Sequence, residues 1–162
     1  MKRTHILFVC AAALVYGCGT KDPAKLFARK WQMQEFKSER LEQHLARMQY
    51  AMDTVKDTAV RTQIRKNIEF QKQSLKDMEQ LLVNCNADGT YKATSTQMGL
   101  KENSVGTWQL IADNKKVVMA KDNIMTKADT LEIQELTPHQ MVLAAADGKG
   151  GKIYMTYKEV KE

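Results

Sequence analysis

Between Gly19 and Gly89 the chain carries no glycine, and between Pro23 and Pro138 it carries no proline. Inside a helix these residues cost about 1 and about 3 kcal/mol relative to alanine, so their absence lets long helices run. Leu41, Leu45, Met48, Met52, Val55 and Ala59 recur at spacings of four and three and form one apolar helix stripe. Ile64, Ile68, Gln71, Leu75, Met78 and Leu82 form a second. The second stripe is out of phase with the first by about two residues. Thr54-Val55-Lys56-Asp57 has the form of a capping box at the junction. The pattern predicts two helices, at 38–53 and 56–80, packed as an antiparallel hairpin. One straight helix over 38–82 would be about 67 Å long, which is longer than a small domain is wide.

Beyond residue 80 the period changes. Segments 81–86 and 90–95 flank Ala87-Asp88-Gly89, and the Asp-Gly pair supplies the positive φ that a tight hairpin demands. Segments 105–111, 117–120, 130–136, 141–145 and 152–158 follow. Between them lie turns at Asp113-Asn114-Lys115, Lys121-Asp122-Asn123, Thr137-Pro138-His139 and Asp147-Gly148-Lys149-Gly150-Gly151. Ahead of the helices Trp31, Met33 and Glu35 alternate with polar residues. Ile153, Met155 and Tyr157 show the one apolar face that each strand presents. A half-open sheet packed on the helices accommodates the same strands. At 162 residues and 43% hydrophobic content the chain is long and apolar enough for one compact domain. The expected fold is α+β, mainly β. It is an antiparallel up-and-down barrel of about eight strands, with a two-helix insert between the first and second strands.

The start of the chain reads as an address. Met1-Lys2-Arg3-Thr4-His5 is basic, and residues 6–15 are an unbroken apolar run. As a helix that run spans about 15 Å, half of a hydrocarbon core, which suits a secretory signal peptide and not a membrane span. Val15-Tyr16-Gly17-Cys18 resembles the lipobox of bacterial lipoproteins, in which the chain is cut before the Cys and its sulfur is acylated. That resemblance implies a signal peptide at 1–17, an acylated Cys18 with a short tether at 18–25, and a domain at 26–162 with its helical insert at 38–82. It also implies a partner, membrane lipid, reached through Cys18. The location implied is the bacterial cell envelope, at the periplasmic face or the outer surface of the outer membrane. Gly19 is not the Asp that favours inner-membrane retention, and Lys21-Asp22 faintly resembles a surface-export signal.

Cleavage there would remove Lys2 and Arg3 and lower the net charge from +6 to +4. No dense Lys/Arg block is present, so the composition argues against nucleic acid as a partner. With Cys10 removed and Cys18 acylated, Cys85 stands alone; in Leu81-Leu82-Val83-Asn84-Cys85-Asn86 it reads as a buried small hydrophobe.

A family resemblance rests on several segments together. They are a Trp-bearing first strand, the helical insert, Asn86-x-Asp88-Gly89-Thr90-Tyr91, Gly106-Thr107-Trp108-Gln109-Leu110, Leu131-x-Ile133-x-Glu135-Leu136, Met141-Val142-Leu143 and Tyr154-x-Thr156-Tyr157. In combination they resemble the lipocalin-like lipoproteins of Bacteroidetes over nearly the whole mature chain. The first strand departs from the lipocalin Gly-x-Trp, since Arg29-Lys30-Trp31 stands there. The resemblance implies a barrel that holds a small apolar ligand, and by analogy with fatty-acid-binding proteins a helical pair that lids its mouth. The residues proposed to bind are Trp31, Tyr91, Trp108, Met119, Met141 and Tyr154.

Motifs for other chemistry are missing from the sequence. There is no His-Glu-x-x-His, Cys pair, Gly-x-Ser-x-Gly, P-loop or dinucleotide fingerprint, so neither catalysis, metal nor cofactor is expected. Glu132 and Glu135, three apart in a strand, should point to opposite faces. His44 reads as a helix-surface residue and His139 as a turn residue facing water. Charged helix faces leave a second reading open, an envelope protein that contacts a protein partner through the hairpin.

Overall fold

The computed structural model describes residues 22–97, 99–122 and 128–161. The expected signal segment and Cys18 lie outside the described residues. Eight strands form a closed antiparallel barrel in strict sequence order. They are β1 (Lys30–Ser38), β2 (Leu82–Cys85), β3 (Thr90–Gln97), β4 (Leu100–Ile111), β5 (Lys116–Lys121), β6 (Ala128–Leu136), β7 (Gln140–Ala146) and β8 (Lys152–Glu159). Between β1 and β2 stand α2 (Glu39–Thr54) and α3 (Thr58–Met78), so the fold and the position of the insert are as expected. A short helix, α1 (Pro23–Phe27), precedes β1.

Because neighbouring strands alternate in direction, the connections divide between two ends. The β2–β3, β4–β5 and β6–β7 turns and α1 share one end, the floor. The helical insert and the β7–β8 turn stand at the other, the mouth.

Apolar residues from the strands fill the floor. Trp31, Met33, Val83, Cys85, Trp108, Val117, Met141, Leu143 and Tyr157 form one buried cluster with Phe27 of α1. Asp22 caps α1 by accepting from the Ala24 N–H, and Pro23 opens it. Phe27 is fully buried and its ring lies 4.8 Å from that of Trp108. Both indoles find acceptors, as buried Trp residues usually do. Trp31 Nε1 donates to the Phe27 carbonyl at 3.0 Å. Trp108 Nε1 donates to the carbonyls of Asn86 and Thr90 at 3.1 and 3.0 Å. Gly89 has the positive φ of 83° expected in that turn, and its carbonyl accepts from the Trp108 N–H.

Two bulges reset the side-chain alternation. In β1 the register against β8 shifts between Met33 and Glu35. Glu35 is therefore exposed, while Phe36 packs on the core and Ser38 is buried. The expected alternation through Glu35 fails there. In β6 the register against β7 shifts between Ile133 and Glu135. Leu131, Ile133 and Leu136 all pack on the core, so Glu132 and Glu135 share the outer face, contrary to the simple period-two expectation.

The hairpin also differs in its capping. Asp57, not Thr54, is the N-cap of α3, accepting from the N–H groups of Ala59 and Val60. Thr54 is the last residue of α2, and its hydroxyl donates back to the Tyr50 carbonyl. Ile68 is buried in the helical insert. Gln71, in the apolar stripe of α3, brings its amide to 3.8 Å from the Met48 sulfur and leaves a buried Oε1 without a partner. Strand β2 is short and pairs with β1 only at Lys30, Trp31 and Gln32. Above it α3 packs on β1 and β3, and α2 packs on β1.

Candidate functional site

Above the floor the barrel interior opens into a bowl of about 560 Å³, within the range of small-molecule sites. Phe36 of β1, Tyr91 of β3, Met119 and Lys121 of β5, and Asp129, Thr130 and Leu131 of β6 line it. Ala145 and Ala146 of β7 and Ile153 and Met155 of β8 complete the wall. The space exists because the inward series of β7 runs Met141, Leu143, Ala145, so the large side chains of the floor layers give way to an alanine at the height of the bowl. An eight-stranded barrel is just wide enough for its side chains to fill, so a small side chain at Ala145 leaves room. Deep in the bowl the lining is apolar. Lys121 and Asp129 are exposed at its rim and place one charge of each sign there.

Tyr91 is held against the wall by a glycine on the next strand. Gly106 is its register partner on β4, and a Cβ at Gly106 would lie 2.7 Å from the Tyr91 ring. The Tyr91 hydroxyl is pushed to higher pKa, first by burial and then by the carboxylates of Asp129 and Asp122. It therefore stays a neutral hydrogen-bonding group in the bowl.

Of the six residues proposed from sequence, Tyr91 and Met119 line the bowl. Trp31, Trp108 and Met141 are buried in the floor cluster beneath it, where they pack on one another and on Phe27. Tyr154 is on the outer face and 40% exposed, because its neighbours Ile153 and Met155 take the inward positions. Ile153 and Met155 carried a readable signal in their alternation with Tyr157. Phe36 did not, since only the β1 bulge turns it inward. No residue of α2 or α3 lines the bowl, so the lid suggested by analogy finds no support in the wall.

Other candidate groups are engaged elsewhere. Glu132 pairs with Lys152 at 2.8 Å and Glu135 accepts from Gln140. His139 is largely exposed but stands 3.4 Å from Glu159. Glu159 also pairs with Arg29 at the floor end. Among the described residues no group of three or more His, Cys, Asp or Glu is placed to hold a metal ion.

Cys85 is buried in the floor, and burial pushes its thiol up to about 12 from an ordinary 9.0. A thiol so far from ionisation is inert. In the native protein Cys85 should resist iodoacetamide at pH 8 and react fully in urea, as read by mass spectrometry. The same shift has a stability consequence. Above about pH 9 the unfolded chain loses the proton that the folded chain keeps, so stability should fall by about 1.4 kcal/mol per pH unit from this group. Urea titrations at pH 8, 9 and 10 check that slope; a flat profile would contradict it.

No protein-family model matches the chain, and no curated protein matches it.

Proposed function

We propose that the chain is a lipocalin-like lipoprotein of a bacterial cell envelope, anchored through an acylated Cys18, that holds a small apolar ligand in the mouth of its barrel. The bowl is the observation that carries the ligand reading. It has a volume fit for a small molecule, an apolar base and a polar rim, the arrangement that buries an apolar body while orienting one polar group. The basic start, the apolar run and Val15-Tyr16-Gly17-Cys18 support the anchoring.

Native mass spectrometry before and after organic extraction tests the ligand. A co-purified apolar mass should appear and then disappear on extraction. Ala145→Phe places a ring in the bowl and should abolish retention of that mass while leaving the barrel folded by circular dichroism. Undiminished retention in the variant would mean that the mass sits elsewhere. A bare polypeptide in every preparation would count for the second reading, an envelope interaction module. That reading draws on Tyr50 and Phe70, which stand 72% and 56% exposed on the two helices.

A further inference from the structure

Beside the bowl, between α2 and the β7–β8 turn, lies a cleft of about 410 Å³. Its lining is basic. Arg40, His44 and Arg47 come from α2, and Lys149 comes from the turn. The spacing explains the convergence, because positions four and then three apart fall on one helix face. The same helix sends Glu39 and Glu42 elsewhere, into a separate depression with Lys37 and Lys152. α2 thus separates its charges, with cations turned to the cleft and these acids turned away.

One acid stands in the cleft, and its Oδ1 is engaged by the turn. Asp147 accepts from the N–H groups of Lys149 and Gly151, both at 2.8 Å, which shapes the turn. Among the described residues, Arg40, Arg47 and Lys149 form no ion pair. Asp147 is held ionised by those N–H groups of the turn and by the nearby charges of Arg40 and Lys149, so three cations against one carboxylate leave a net positive cleft. Two of them are guanidiniums, whose planar forks match phosphate oxygens two at a time. Ile153 is the decisive neighbour, since it lines both this cleft and the apolar bowl.

We infer that the cleft is a phosphate-binding subsite, and that with the bowl it takes an amphiphile whose apolar chain passes Ile153 into the barrel while its phosphate meets Arg40, Arg47 and Lys149. The joint occupancy rests on the bowl being a ligand site. The phosphate subsite does not.

Isothermal titration calorimetry on the full chain in neutral detergent separates these, using inorganic phosphate, octyl phosphate and octanol as probes. Octyl phosphate should bind more tightly than either of the others. Arg40→Gln with Arg47→Gln should weaken octyl phosphate by about tenfold or more for each arginine, the scale of a charged hydrogen bond, and leave octanol within about twofold. Lys149→Gln, on a different element, should weaken octyl phosphate in the same direction and guards against a folding defect in α2. Equal binding of octyl phosphate and octanol, unmoved by these variants, would overturn the subsite and leave the bowl standing. Arginine-dependent binding of inorganic phosphate, with no octanol binding and no gain from the octyl chain, would uphold the subsite, identify its ligand as free phosphate and remove the bowl. Binding of neither phosphate probe overturns the inference.

Discussion

Gly106→Ala should lower stability by about 3 kcal/mol or more, the upper end of what overpacking costs. The added Cβ would lie 2.1 Å from the Ala120 carbonyl oxygen and 2.7 Å from the Tyr91 ring. The first neighbour is backbone of β5, bonded in register to β4, so it can yield only by opening the ladder. The ring can swing, and that distinguishes the two clashes. Adding Tyr91→Ala should therefore recover only part of the loss. Urea unfolding of the single and double variants measures both. A single-variant cost below about 1 kcal/mol, less than overpacking ordinarily imposes, would show that the strands separate more freely here than their register implies.

Phe27→Ala should cost about 3–5 kcal/mol, the range for truncating a buried aromatic side chain. Its ring is fully buried and packs at a tilt of 41° against Trp108, while its carbonyl accepts from the Trp31 indole N–H. Truncation leaves a void under both tryptophans that α1, only Pro23–Phe27, is too short to refill. For a domain of this size the loss corresponds to a fall in Tm of about 10 °C or more. Tryptophan fluorescence should also shift, since Trp31 and Trp108 sit at the void. Phe27→Leu should recover much of the loss, because it restores most of the apolar volume. A Tm unchanged by Phe27→Ala would mean that the barrel closes without its plug.

The barrel and the hairpin were legible because their residues keep a period. Ile153, Met155 and Tyr157 mark an inward face without help from the rest of the chain, and the two helix stripes announce themselves by their phase break. Three features escaped that logic. A bulge inserts one residue into the backbone and flips every side chain after it, so Phe36 took the inward place read for Glu35, and Glu132 and Glu135 came to one face. Helix α1 is too short to show a period, though Asp22-Pro23 is a fair start signal. Height along the barrel axis leaves no mark on alternation at all. Trp31, Trp108 and Met141 are inward, as their strands require, yet they fill the floor and not the bowl. Tyr154 failed on parity alone, one residue from two that line the wall. The basic cleft was half visible, in Arg40, His44 and Arg47 at helical spacing, and needed the β7–β8 turn brought against it to become a site.

If Cys18 anchors the chain as proposed, the position of α1 would set which way the molecule faces. The chain enters at the plugged end, and under the proposed anchoring the path from Cys18 to Pro23 can reach no more than about 18 Å. The plugged end would rest on the host leaflet with the opening turned outward, like a cup standing on its base. Lipid diffusing in that leaflet would have no lateral doorway into the cup. Loading and unloading would then occur from the aqueous side, by exchange with a soluble donor or an opposing surface, and the bilayer that holds the protein would serve as its footing and not as its reservoir.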